Sequence, residues 1–112
     1  MINIIIVKSK NIIQTIEATG HSGYAESGAD IVCSAVSTLT QSLINGLIEV
    51  VKIKPNYVID EKIPHLSVSL PKDLTEEQLK LSQVLMRSTY LGLKNVANEF
   101  GKFIKLKEKQ ND

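Results

Sequence analysis

The chain has one cysteine, Cys33, and two histidines, His21 and His65. Cys33 and His21 share the stretch ATGHSGYAESGADIVCSAVSTL, in which a glycine-rich loop runs into an apolar segment of helical period. A thiol attacks a carbonyl carbon as its thiolate. At neutral pH the thiolate is stabilised by the unpaired amides and dipole of a helix N-terminus, and further by a neighbouring imidazolium. Asp30 is placed to cap the helix that follows, which puts Cys33 in its first turn. Cys33 then falls about 100° around the helix from Val32, at the edge of the apolar stripe, where a sulfur can face a cleft. The predicted chemistry is nucleophilic: Cys33 attacks, and His21 serves as its base. Spacing permits that contact without establishing it. A lone intracellular cysteine is also commonly a small buried hydrophobe.

Gly20, Gly23 and Gly28 lie between a strand-like run and the helix start. A glycine loop in that position can cradle a phosphate, but the pattern argues against it. Gly28 is followed by Ala29 and Asp30 rather than by Lys and Ser or Thr, the dinucleotide spacing is absent, and Asp30 would repel an anion. A second reading is a loop that covers a ligand, with Tyr24 as its one large contact group, and the alternative is an ordinary surface connection. His65 has no Cys or His companion at ligand spacing, so no metal and no cofactor are expected, and His65 reads as a strand-end residue.

Several elements are needed to hold such a pair. Residues 2 to 8, INIIIVK, are apolar on both faces, as in an interior strand. SKN reads as a turn, and IIQTIEAT alternates as the partner strand. In the first helix Val32, Ala35, Val36, Leu39, Leu43, Leu47 and Val50 form one stripe, ended by Pro55. NYVIDEK and HLSVSL are two further strands. Thr75 with Gln78 fits a capping box opening a second helix, whose apolar side is Leu81, Val84, Leu85, Leu91 and Val96. KFIKLK closes the fold as a strand.

The expected fold is α+β and two-layered: a five-stranded sheet with two helices on one face, in the order β-β-α-β-β-α-β. Residues 1–107 should form one domain, with 108–112 a disordered tail. The second apolar face of the first strand, and Ile44, Ile48 and Val51 outside the main helical stripe, suggest either a homodimer surface or a thicker core.

Composition limits the partners. A net charge of +1 offers no electrostatic case for nucleic acid or an anionic membrane. With one cysteine no intramolecular disulfide can form, in keeping with a reducing compartment. The apolar run at the start, INIIIV, is too short for a signal or a membrane span, so a soluble cytoplasmic protein is expected. Three tyrosines, two phenylalanines and no tryptophan make the core aliphatic.

The stretch GHSGYAESGADIVCSAVSTL resembles the signature of the ribosomal-processing cysteine proteases (Prp), with its Gly-His, its Tyr- and Gly-rich loop, its Asp-Ile-Val-Cys and its Ala-Val-Ser. LGLKNVANEF followed by KFIKLK is similar to the family's last helix and strand, so the likeness spans nearly the whole chain. The resemblance implies an enzyme that removes the N-terminal extension of a large-subunit ribosomal protein during ribosome assembly, acting as a homodimer. It implies His21 as base and Cys33 as nucleophile, with Asp30 and Ser37 in supporting positions, and substrates with aromatic residues before the cut. Ser34, where many members have alanine, is a small departure. The competing reading is a non-catalytic, ribosome-associated module that binds protein through the glycine loop.

Overall fold

The computed structural model describes residues 1–20, 29–60 and 64–111, the first two residues of the first helix by backbone alone. In chain order the elements are β1 (Ile2–Ser9), β2 (Ile12–Thr19), α1 (Ala29–Gly46), a π-helical turn (Leu47–Val51), β3 (Asn56–Asp60), β4 (His65–Ser69), α2 (Glu76–Glu99) and β5 (Ile104–Gln110). The strands form one sheet in the order β3-β4-β2-β1-β5. Among the described residues only the β1–β5 pair is parallel. The α+β order expected from the sequence is the observed one.

β1 and β2 form a hairpin because the chain can reverse at Lys10 and Asn11, both left-handed at φ 49 and 70. Two residues of positive φ match the twist of the strands they join. β1 lies inside the sheet, yet its faces differ: Ile2, Ile4 and Ile6 are buried, whereas Ile5 and Val7 on the far face are half-buried. Cross-strand register sets the floor of the core. Ile4 faces Ala18, Ala18 faces Leu66, and Leu66 faces Ile59; beside that row run Ile6, Ile16, Val68 and Tyr57.

Both helices lie over this floor, α1 above β4 and α2 above β2 and β5. They approach closely where α1 presents Gly46: a Cβ there would stand 3.0 Å from the Leu85 side chain. Residues Ile31–Val51 have a mean hydropathy of 1.5, which by length and composition would suit a membrane span. In the fold one face of this segment belongs to the core instead.

The helical stripes differ from the sequence expectation in an instructive way. Val50 is 75% exposed, while Ile44 and Val51 are buried. The wider turn of the π-helix rotates Val50 outward and brings Val51 in. The surplus apolar residues of α1 thus thicken the core. In α2 the inward line is Ser82, Met86, Thr89 and Leu93, and Leu81, Val84 and Leu91 are exposed. Of the expected line, Leu85 and Val96 pack against the core, while the fully buried line alternates Ser82 and Thr89 with Met86 and Leu93. The capping box forms as expected: the Gln78 amide donates to the Thr75 hydroxyl at 3.1 Å, and the Thr75 amide to Gln78 Oε1 at 3.0 Å.

The expected tail from residue 108 is instead strand, since β5 continues through Gln110. β1 supplies pairing partners as far as Lys8 opposite Gln110. Glu108 is also anchored: Lys8 Nζ lies 2.6 Å away, and the Tyr90 hydroxyl donates to it at 2.7 Å. Hydrogen bonds from Lys8 and then Tyr90 hold the Glu108 carboxyl below its ordinary range, and the bond to Glu108 raises Lys8.

Candidate active site

A cleft of about 290 Å³ opens between α1 and the β3–β4 half of the sheet. From α1 it receives Cys33, Val36, Ser37 and Gln41. Cys33, Ser37 and Gln41 are spaced by four residues, so they descend one line of the helix. Val32 and Val36 are buried and fix the rotation of α1, which leaves Cys33 half-buried beside them at the cleft. That is the edge-of-stripe position the sequence predicted. Cys33 and Ser37, singled out separately, are brought together here. Ala18 and Leu66 line the sheet side, and Ile59 forms the outer wall.

Gly20 directly follows β2 at the rim of the cleft. Its φ is +94°, and a Cβ on it would stand 2.5 Å from the Met1 carbonyl oxygen. Its amide donates to the Pro64 carbonyl at 3.0 Å. The residue must therefore be glycine for two independent reasons, conformation and space. Of the loop residues expected to meet a ligand, Gly20 is thus placed at the cleft. His21, Gly23, Tyr24 and Gly28 lie outside the described residues.

Asp30 lies within α1, which is described from Ala29, and not at its cap.

His65 has a role that sequence reasoning missed. Its Nε2 is 2.9 Å from Glu17 Oε2, with each side chain about one-third exposed. Register places His65 opposite Thr19 and Asp60. Ala18 and Leu66 face α1, so the His65–Glu17 pair lies on the other face of the sheet, and His65 borders the cleft at the start of β4. The available signal was the outward phase of Glu17 in β2. Ile59 and Gln41 were also missed, although Gln41, eight residues after Cys33, keeps its helical line. Among the described residues no three His, Cys, Asp or Glu side chains gather as metal ligands.

A thiol on a helix flank, opening into a cleft against a mixed sheet, defines a two-layer α+β protein equipped for acyl chemistry. The comparisons make the class specific. The family model described as cysteine protease Prp matches residues 1–105. The ribosomal processing cysteine protease Prp of Bacillus subtilis (strain 168) is 26% identical over 88 residues, 79% of each chain. The structure of SMU.848 from Streptococcus mutans superposes with a TM-score of 0.87 at 31% identity, covering 99% of this chain and 96% of that one. The essential ribosomal processing protease Prp from S. aureus, in complex with a substrate peptide, shares the fold at a TM-score of 0.84 and 20% identity, over 97% of this chain and 100% of that one. The chain belongs to the Prp family of cysteine proteases. It is accordingly a hydrolase of peptide bonds, and the competing reading of a non-catalytic module falls away.

Proposed function

We propose that this protein removes the N-terminal extension of a large-subunit ribosomal protein during ribosome assembly, with Cys33 as nucleophile and His21 as its base. The observation that carries the reading is the position of Cys33: half-buried on α1, at the wall of a cleft faced by Ala18, Ile59 and Leu66 and bordered by Asp60 and His65. His21 takes the thiol proton, and the thiolate attacks the scissile carbonyl. Protonated His21 returns the proton to the leaving amine, and water then hydrolyses the thioester. Amides at the start of α1 are the candidate donors to the oxyanion. Asp30 and Ser37 support the pair, Ser37 from the next turn of the same helical line. Val36, Ile59 and Leu66 offer the aromatic residue before the cut an apolar seat.

Gly20 brings the chain to the cleft immediately before His21, which supports a base entering from that side. The enzyme acts in the cytoplasm as a homodimer, and it binds neither nucleic acid nor membrane directly. Support for the dimer now comes from the exposed apolar residues Val50, Leu81, Val84 and Leu91 on the helices. The test is intact-mass spectrometry of the ribosomal protein precursor after incubation with the enzyme or with Cys33→Ala. The unaltered enzyme should release one N-terminal fragment and the variant none, with equal melting temperatures. Cleavage by the variant would sink the assignment of Cys33.

A further inference from the structure

The sheet has two edges of opposite composition. β5 presents Lys105, Lys107 and Lys109 at alternate positions, all exposed. A row of lysines on an edge strand keeps other strands away. β3, the opposite edge, is exposed at all five residues and reads Asn-Tyr-Val-Ile-Asp. Tyr57, Val58 and Ile59 are strand-favouring residues, 50, 45 and 43% exposed. No lysine, proline or register shift interrupts them. Such an edge is suited to receive a strand.

Register shows what that strand would meet. Ile59 faces Leu66 and, beyond it, Ala18, the row that lies beneath α1. Ile59 and Asp60 also belong to the cleft that Cys33 lines. An extended segment paired with β3 would lie about 4.8 Å beyond it, with every second side chain on the side of α1. We propose that the polypeptide substrate binds by strand addition to β3, its backbone bonded to that edge and its alternate side chains directed into the cleft. The proposal rests on the reading of Cys33 as nucleophile. The occupant is substrate rather than a second copy because the edge is continuous with the cleft through Ile59 and Asp60. Backbone pairing then supplies affinity, and the side chains passing Ile59 supply selection.

The experiment uses a synthetic peptide spanning the extension and first mature residues of the ribosomal precursor, and a series in which one backbone amide at a time is N-methylated. Binding is measured on Cys33→Ala and cleavage on the unaltered enzyme. In an added strand only alternate amides face the edge, so methylation at every second residue should weaken binding roughly tenfold, with little effect between. A profile that does not alternate overturns strand addition, and the Cys33 assignment survives if the parent peptide is still cut. Alternation without cleavage keeps the edge and removes the nucleophile. Absence of binding overturns both. Amide exchange gives a second reading: outward amides of Tyr57–Ile59 should exchange quickly and become protected by the peptide. Protection already complete without peptide would assign this edge to a second copy and overturn the proposal.

Discussion

The two ends of the sheet are held together by different means. At the hairpin end, polar side chains tie α2 to the strands. Gln83 bonds both the amide and the carbonyl of Ile13, each at 2.9 Å. The Arg87 guanidinium donates to the Asn11 carbonyl, and Tyr90 and Lys8 converge on Glu108. At the cleft end the ties include the backbone bonds from Gly20 to Pro64 and from Ile2 to Phe103, and the partly exposed His65–Glu17 pair. One end is braced where no chemistry is placed. The other holds the cleft that Cys33 lines. Among the described residues, the side-chain ties between α2 and the strands thus gather away from the cleft.

Substitutions at the two ends should therefore separate rate from stability. Gly20→Ala should have the largest effect, because it forces a side chain into the left-handed region and onto the Met1 carbonyl. A loss of about 1–3 kcal/mol is expected from the strain, together with a drop in peptide cleavage. Unchanged cleavage would show that the path of the chain into the residue 21 segment does not matter. Gln83→Ala comes next. It leaves two backbone groups of a buried strand residue without their partner, which should cost about 1–2 kcal/mol in urea unfolding. Peptide cleavage at a temperature well below melting should stay within twofold of the unaltered enzyme, and a larger drop would mean that the ends are coupled.

The smallest effect is expected from Glu108→Gln. Its carboxyl is lowered in the fold, so its contribution is present above the unfolded carboxylate range and fades as pH falls through the folded value. The raised Lys8 loses its share only as pH rises past its own folded value. The pair is largely exposed and screened, so the variant should match the parent at neutral pH within about 0.5 kcal/mol. The difference should shrink further in acid. A difference that grew in acid would contradict the direction assigned to Glu108.

Much of this was legible in the residues because local pattern and fold agreed. Alternation in HLSVSL gave β4, the Thr75–Gln78 spacing gave the start of α2, and the helical phase of Cys33 against Val32 and Val36 put the thiol at a cleft. What was not legible depended on partners distant in sequence. In α2 the more apolar line is not the buried one, and composition could not say that Ser82, Met86, Thr89 and Leu93 turn inward while Leu81, Val84 and Leu91 turn out. The π-helical turn displaced Val50 for a reason that no single residue type announces. The floor of the cleft required the β2–β4–β3 register, which brings Ala18, Leu66 and Ile59 into one row from three separated segments. The tail beyond residue 107 was read as solvated because it is charged, although β1 extends far enough to pair with it.

The parallel pairing of β1 with β5 also bears on how the molecule assembles. Ile2 meets Ile104, a separation of 102 residues. Until β5 is made and docked, one side of the isoleucine-rich β1 has no neighbour. The hairpin can form early from local contacts, but this last junction must close a loop nearly as long as the chain, and such distant pairings slow folding. During that interval the exposed side of β1 is the segment most prone to intermolecular pairing. Once β5 is in place, the edge it creates carries Lys105, Lys107 and Lys109, so the last step of folding also ends the hazard.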